Sequence, residues 1–210
     1  MTTLTTDIKE IFFNIFRGDT SVEDFEKWIY QTKELEKQLT GDIYYDLISF
    51  DYKQPKAKYE LVKIIEQLID LGEFETWKLR QLLRQTRERI GNYPKAITQF
   101  YDLYCKGYYF MDNLAFGYGL PLDCPWSKFG IDSFDKLTME QQKQYADSFF
   151  PDIEGELKKV SDWLDSKKII LTGKRDNELG RYEFEDSRSE EEKQPTTYTR
   201  QTIIDNKNKK

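Results

Sequence analysis

The chain has 210 residues, of which 15% are aromatic, and it contains no histidine. Histidine is the usual general base near neutral pH and the commonest metal ligand, so its absence excludes Ser-His-Asp sites, Cys-His sites and histidine-ligated zinc. The net charge is −6, and the segment 200–210 carries four basic residues and one acidic residue, so residues 1–199 carry −9 once that +3 is removed. An acidic body of this kind repels nucleic acid and attracts basic partners.

The apolar runs, the N-terminal residues and the cysteines indicate the cellular compartment that we expect for this protein. No apolar run approaches the ~18 residues that a membrane span needs, which argues against membrane contact. The first ten residues lack the basic region and apolar stretch of a signal peptide. We therefore expect a cytoplasmic protein in which Cys105 and Cys124 are reduced thiols.

The first 50 residues show the apolar spacing of short helices. The first stripe recurs at helical intervals and consists of Ile8, Ile11, Phe12, Ile15 and Phe16. Gly18 is placed to end this helix in a left-handed conformation. The segment from Ser21 to Asp24 resembles a capping box and predicts a second helix. Further short helices are predicted around 35–39 and 43–48.

Two longer helices are predicted next. A broad apolar face over 56–71 indicates a helix in the core, and we expect Gly72 to stop it. The helix over 74–90 carries a basic stripe of Arg80, Arg84 and Arg87 at intervals of four and three residues. We interpret this stripe as a solvated helix face paired with neighbouring glutamates rather than as a nucleic-acid surface, because such pairing is common on helices. A further helix is predicted after Pro94.

The composition changes at residue 106. The stretch 106–131 is rich in aromatic residues and glycine, which predicts an ordered, partly buried connection, since a flexible linker would lack so many large apolar side chains. Beyond it, Thr138 and Gln141 form a capping box that begins one helix, and Pro151 suits the start of the next.

The periodicity then changes from helix to strand. The segments 168–172 and 181–185 have the composition of strands, and Tyr182 and Phe184 alternate with acidic residues in the second. The fold class predicted is mainly α, with a helical, bundle-like N-terminal part and a small C-terminal α+β appendage of two helices and a β-hairpin. The expected organisation is a helical domain at 1–105, the connection at 106–131, helices and hairpin at 132–190 packed on the first part, and a disordered tail at 191–210.

The segment 176–192 holds eight carboxylates. Such a segment forms a docking surface for a basic protein or simply a solvated, partly disordered stretch, and the second interpretation explains the pattern with fewer assumptions. As candidate partner-binding residues we select five acidic residues of the predicted hairpin: Asp176, Glu178, Glu183, Glu185 and Asp186.

The same carboxylates allow an enzymatic alternative. A metal-dependent nuclease needs two carboxylates on a divalent cation and a nearby lysine, and Glu191 and Lys193 follow the hairpin that contains Asp176 and Asp186. The acid-x-Lys pattern is common by chance in charged tails, so it is a poor match. A glycosidase-like hydrolase needs a pair of carboxylates, but no spacing in this sequence selects one.

One stretch resembles a known family. Phe25-Glu-Lys-Trp-Ile-Tyr30, Glu34-Leu-Glu36 and Tyr45-Asp-Leu-Ile-Ser-Phe-Asp-Tyr52 are similar to the N-terminal signature of small bacterial proteins found beside polymorphic toxins. The resemblance covers residues 8–90 and implies an immunity-type protein. It transfers no functional residue, because the signature consists of residues typical of a core.

The leading functional hypothesis joins the resemblance to the charge. We expect a non-enzymatic cytoplasmic binding protein, an immunity-type inhibitor that neutralises a basic cognate toxin by direct binding, without a cofactor, a metal or catalytic residues. The alternatives are the carboxylate-dependent hydrolase and a structural or adaptor protein of a phage or mobile element. Gene neighbourhood separates the last of these from an immunity protein.

Overall fold

The computed structural model describes residues 4–194, and over this range the protein is mainly helical and ends in a two-stranded antiparallel hairpin, as the sequence predicts. The helices are, in chain order, α1 (Thr6–Arg17), α2 (Val22–Gln31), α3 (Leu35–Gln38), α4 (Gly41–Ile48), α5 (Ala57–Glu66), α6 (Leu71–Glu88), α7 (Tyr93–Cys105), α8 (Asp112–Leu114), α9 (Leu120–Asp123), α10 (Trp126–Phe129), α11 (Met139–Asp147) and α12 (Asp152–Asp165). The strands are β1 (Ile169–Arg175) and β2 (Tyr182–Asp186). No helix in this described range is long and apolar enough to cross a membrane.

The contacts divide the chain into two compact units at the junction between residues 74 and 75. The first unit has its own apolar core, formed by the stripes of α1 to α5: Leu4, Ile8, Phe12, Ile15, Phe25, Ile29, Leu35, Leu39, Leu47, Tyr52, Leu61 and Ile65. Gly18 adopts a φ of 91° and ends α1 as predicted, and the Ser21 hydroxyl accepts a hydrogen bond from the Asp24 amide at the start of α2. Local caps and apolar spacing therefore predict this part of the fold well.

The predicted boundary at Gly72 is wrong. Helix α5 already ends at Glu66, and α6 begins at Leu71, so Gly72 lies in its first turn. The reason is a cap at Asp70, whose carboxylate accepts a hydrogen bond from the Glu73 amide at 2.8 Å. A side-chain cap of this kind supplies a partner for a first-turn amide, which outweighs the tendency of glycine to end a helix.

The second unit has a larger core, drawn from α6, α7, the 106–131 stretch, α11, α12 and the hairpin. Its most deeply buried members include Ile97, Phe100, Tyr108, Met111, Leu114, Leu122, Ile153 and Leu157. The Arg80 side chain of α6 pairs with Asp165 of α12 at 2.5 Å, rather than with the glutamates of its own helix. Arg80 of the basic stripe is thus ion-paired, as expected, but its partner is Asp165 of α12 and not a neighbouring glutamate.

The stretch 106–131 is ordered and partly buried, as predicted, but it is built from short helical pieces rather than loops. Residues Ala115–Gly119 form a π-helical turn against α7. A Cβ atom at Gly119 would lie 2.8 Å from the amide nitrogen of Tyr101, so only glycine allows this close approach. Residues 191–193 form a turn, and the rest of the predicted disordered tail, from 195, lies outside the described residues.

Candidate functional site

The hairpin presents two different faces. Strands β1 and β2 pair antiparallel, with Leu171 opposite Phe184. The Phe184 ring packs edge-on against Phe110 with ring centroids 5.0 Å apart, and the Tyr182 ring stacks on Tyr108 at 4.8 Å. This face is therefore part of the core, and the predicted alternation of strand β2 is confirmed.

The opposite face of β2 carries Glu183 and Glu185, and both side chains are exposed. Residues two apart on a strand project in the same direction and are separated by about 7 Å. Ile170 lies opposite Glu185 on β1 and is 41% exposed, so an apolar side chain accompanies the carboxylates. Within residues 4–194, neither glutamate takes part in an ion pair. We call Ile170, Glu183 and Glu185 the outer hairpin face.

The loop between the strands holds the next two predicted residues. The Asp176 carboxylate accepts hydrogen bonds from the amides of Glu178 at 3.1 Å and Leu179 at 2.6 Å. The bond from the Leu179 amide is the largest cause that lowers the pKa of Asp176 below its usual value. Asp176 therefore shapes the turn, whereas the Glu178 side chain is exposed and belongs to no ion pair in the described range.

Asp186, the fifth predicted residue, is held by an arginine. Its two carboxylate oxygens accept hydrogen bonds from Arg188 Nε at 3.0 Å and Nη2 at 2.8 Å. The Arg188 side chain is only 8% exposed, and its guanidinium lies 4.5 Å from the centre of the Trp163 ring. Partial burial raises the pKa of Asp186, but the hydrogen bonds and the charge of Arg188 outweigh it and lower that pKa overall. Asp186 therefore anchors the segment after β2.

Glu192, which is not among the five residues selected from the sequence, completes this anchor. Its carboxylate accepts hydrogen bonds from Lys168 Nζ at 2.8 and 2.9 Å and from Trp163 Nε1 at 3.1 Å. The bond from Lys168 is the main reason why the pKa of Glu192 falls to about 2. The Ser189 amide also donates to Glu192, and the Glu192 amide donates to the Ser189 hydroxyl. This reciprocal pair follows the Ser-x-x-Glu capping pattern, which was the available sequence signal.

The residues of the nuclease alternative do not lie together. Asp176 lies in the loop before β2, where its amide donates to the Arg181 carbonyl, and Asp186 ends β2, so five residues of extended chain, roughly 16 Å, separate them. Lys193 pairs with Glu190 at 3.3 Å. In the part of the chain that the structure describes, no three His, Cys, Asp or Glu side chains are grouped so that they could hold a metal ion.

A cleft of about 420 Å³ lies beside this anchor in the second unit, and its lining includes Asp112, Asn113, Glu156, Trp163 and Arg188. Burial raises the pKa of Asp112 above the usual value. The Glu156 carboxylate accepts hydrogen bonds at 2.7 Å from the Asn113 amide group and at 2.7 Å from Lys159. Four carboxylates line the cleft, since Glu191 and Glu192 contribute to it as well. Asp112 and Glu156 differ in environment, because Asp112 is held by burial whereas Glu156 is paired with Lys159.

The two cysteines play no part in these sites. Cys105 and Cys124 are exposed and free in the structure. No protein-family model, curated protein or solved structure matches the chain.

Proposed function

We propose that the protein is a non-enzymatic binding protein of the immunity type, which neutralises a basic cognate toxin by direct contact. The observation that carries the proposal is the outer hairpin face, where Glu183 and Glu185 project beside Ile170 without an ion pair in the described range. Carboxylates without internal partners attract a basic protein over long distances. They need not break an existing ion pair before they pair with the lysines and arginines of that protein.

The rigidity of the hairpin supports this proposal. The inner face is fixed by Tyr182 and Phe184, and the two ends of β2 are fixed by Asp176 and by the ion pair of Asp186 with Arg188. A surface that is ordered before binding loses less conformational entropy when a partner arrives. Of the five acidic residues selected from the sequence, three remain exposed for contact and two hold the surface in place.

The residues of the immunity-protein resemblance are compatible with this proposal. Phe25, Ile29, Leu47 and Tyr52 all lie in the core of the first unit. These four residues serve the fold, whereas other residues of the signature, such as Tyr30 and Tyr45, are exposed.

A pull-down with the basic product of the neighbouring gene tests the proposal. We expect a stable complex at low salt that is lost in Glu183→Lys/Glu185→Lys. The matched control, Glu88→Lys/Asp102→Lys, makes the same change of charge at two exposed residues of the same unit and should still bind. Absence of a complex at low salt, or equal loss in both double variants, would contradict the proposal.

A carboxylate-dependent hydrolase is the second candidate, and the cleft favours it. Enzymes of this class use two carboxyl groups, one of which has a raised pKa, and Asp112, whose pKa burial raises, lines one cleft with Glu156 and Trp163. Hydrolysis of a panel of aryl glycosides that disappears in Asp112→Asn would support this candidate. The same panel left intact by the unmodified protein would reject the glycosidase form of it.

A further inference from the structure

The first unit contains a second acidic surface, which is a groove of about 570 Å³. Its walls come from the first turns of α1, the end of α2 and the α3 region. The lining residues are Thr5, Asp7, Ile8, Glu10, Ile11, Asn14, Trp28, Thr32, Glu34 and Gln38. We call this surface the α1–α3 groove.

The charge of the α1–α3 groove has one sign. Asp7, Glu10 and Glu34 line it, all three are exposed, and no lysine or arginine is among the lining residues. Within the described range none of the three takes part in an ion pair, and the nearby Lys9 instead binds Glu73 at 2.6 Å. Three carboxylates around one concave surface reinforce one another's potential, so the groove favours a cation.

The floor of the groove is apolar and rigid. Trp28 is half-buried, and its ring packs against Phe12 at 5.8 Å and Phe25 at 5.6 Å. Ile8 and Ile11 extend the same floor along α1. An indole ring that is fixed by its neighbours offers a face to a cation and a flat surface to an alkyl chain.

Hydrogen bonds hold the walls at both sides. The Thr5 amide donates to the Gln38 side-chain carbonyl at 2.8 Å, which ties the start of α1 to the end of α3. The Thr32 hydroxyl donates to the Trp28 carbonyl at 2.8 Å at the end of α2. The groove is therefore shaped by contacts that leave its three carboxylates available.

We propose that the α1–α3 groove docks a basic protein segment, which lays an arginine or lysine stem on Trp28 and places the charged head among Glu10, Glu34 and Asp7. The combination of an apolar floor and an acidic rim matches these two side chains, since each joins an aliphatic stem to a cation. The groove repels phosphate-bearing ligands for the same reason. This surface goes beyond the outer hairpin face, because it belongs to the other unit and needs no contribution from the hairpin.

NMR titration tests this proposal with an acetylated hexa-arginine amide, monitored at the Trp28 indole N–H. The comparison peptide carries citrulline at every position, which keeps the shape and removes the charge. We expect a saturable shift of Trp28 with the arginine peptide alone. Glu10→Gln/Glu34→Gln should weaken the binding about tenfold, since two charge-assisted contacts are lost.

The control variant is Glu23→Gln/Glu36→Gln, which removes two exposed carboxylates of the same unit outside the groove. It should weaken the binding less than about threefold, through the general change of charge. Equal weakening by both variants, equal binding of the citrulline peptide, or no shift at Trp28 would overturn the proposal. Glu183→Lys/Glu185→Lys should weaken this titration less than Glu10→Gln/Glu34→Gln does, since it lies outside the groove, so failure here is distinct from failure of the hairpin proposal.

Discussion

The two faces of strand β2 show how one short sequence serves two purposes. Tyr182 and Phe184 are packed against aromatic rings of the second unit, whereas Glu183 and Glu185 make no ion pair in the described range and face outward. Stability is therefore concentrated on one face and the attraction for a partner on the other. Substitutions on the inner face should lower the free energy of unfolding, and substitutions on the outer face should weaken the binding of a partner.

The largest expected effect lies beneath the hairpin, at Gly107. Its φ is 119°, and a Cβ there would lie 2.7 Å from the Tyr182 carbonyl oxygen. Gly107→Ala should lower the free energy of unfolding by about 3 kcal/mol, since it adds backbone strain to a steric clash. Urea denaturation measures this change. The control is Gly155→Ala in α12, where nothing lies within 4 Å of the added Cβ, and it should stabilise by up to ~1 kcal/mol.

The next effect is expected at Phe184. Phe184→Ala removes the ring that contacts Phe110, and we expect a loss of about 2 kcal/mol because the side chain is half-buried. Amide hydrogen exchange should show that β1 and β2 lose protection while α7 keeps it. If Phe184→Ala and Glu185→Ala cost the same, the distinction between the faces would be wrong.

A smaller effect depends on pH and concerns Glu192. Its pKa is about 2 in the folded protein against 4.5 for the free side chain, so its stabilisation is complete above pH 4.5 and is lost as the pH falls through 2. Glu192→Gln should therefore be less stable than the unmodified protein at pH 7, and the two should converge near pH 2. Urea midpoints over this range measure the difference. The control is Glu191→Gln, which changes an exposed neighbouring carboxylate and should cost less stability at pH 7 than Glu192→Gln.

The smallest effect on stability is expected on the outer hairpin face. Glu183→Gln/Glu185→Gln should change the free energy of unfolding by no more than about 0.5 kcal/mol, since both side chains are exposed and belong to no ion pair in the described range. Thermal denaturation provides the measurement. A loss of several kcal/mol would show that these glutamates maintain the fold and are not free to bind.

The sequence predicts best what is decided locally. The left-handed end of α1 at Gly18, the capping box of Thr138 with Gln141 and the alternation of β2 are all confirmed, because each depends on a few neighbouring residues. The helical pieces in 106–131 were not predicted, since their short turns are stabilised by tertiary contacts such as that of Gly119 with Tyr101. The start of α6 at Leu71 differs from the prediction because the Asp70 carboxylate caps the helix there.

For the candidate site, too, the sequence predicts the local features and does not predict the tertiary contacts. Sequence could select the acidic segment but could not tell which carboxylates have partners, since Asp186 depends on the position of Arg188 and Glu192 on Trp163 and Lys168. The α1–α3 groove was not foreseen either. Asp7 and Glu10 belong to α1 and Glu34 directly precedes α3, and nothing in their spacing indicates that they line one groove with Trp28.

The rate of association tests the central claim most directly. Stopped-flow mixing of the protein with its basic partner should give a rate constant that falls steeply as salt rises, and Glu183→Gln/Glu185→Gln should lower it at low salt while leaving the fold intact. A rate constant that depends neither on salt nor on these two glutamates would contradict the claim that the outer hairpin face recruits the partner by its charge.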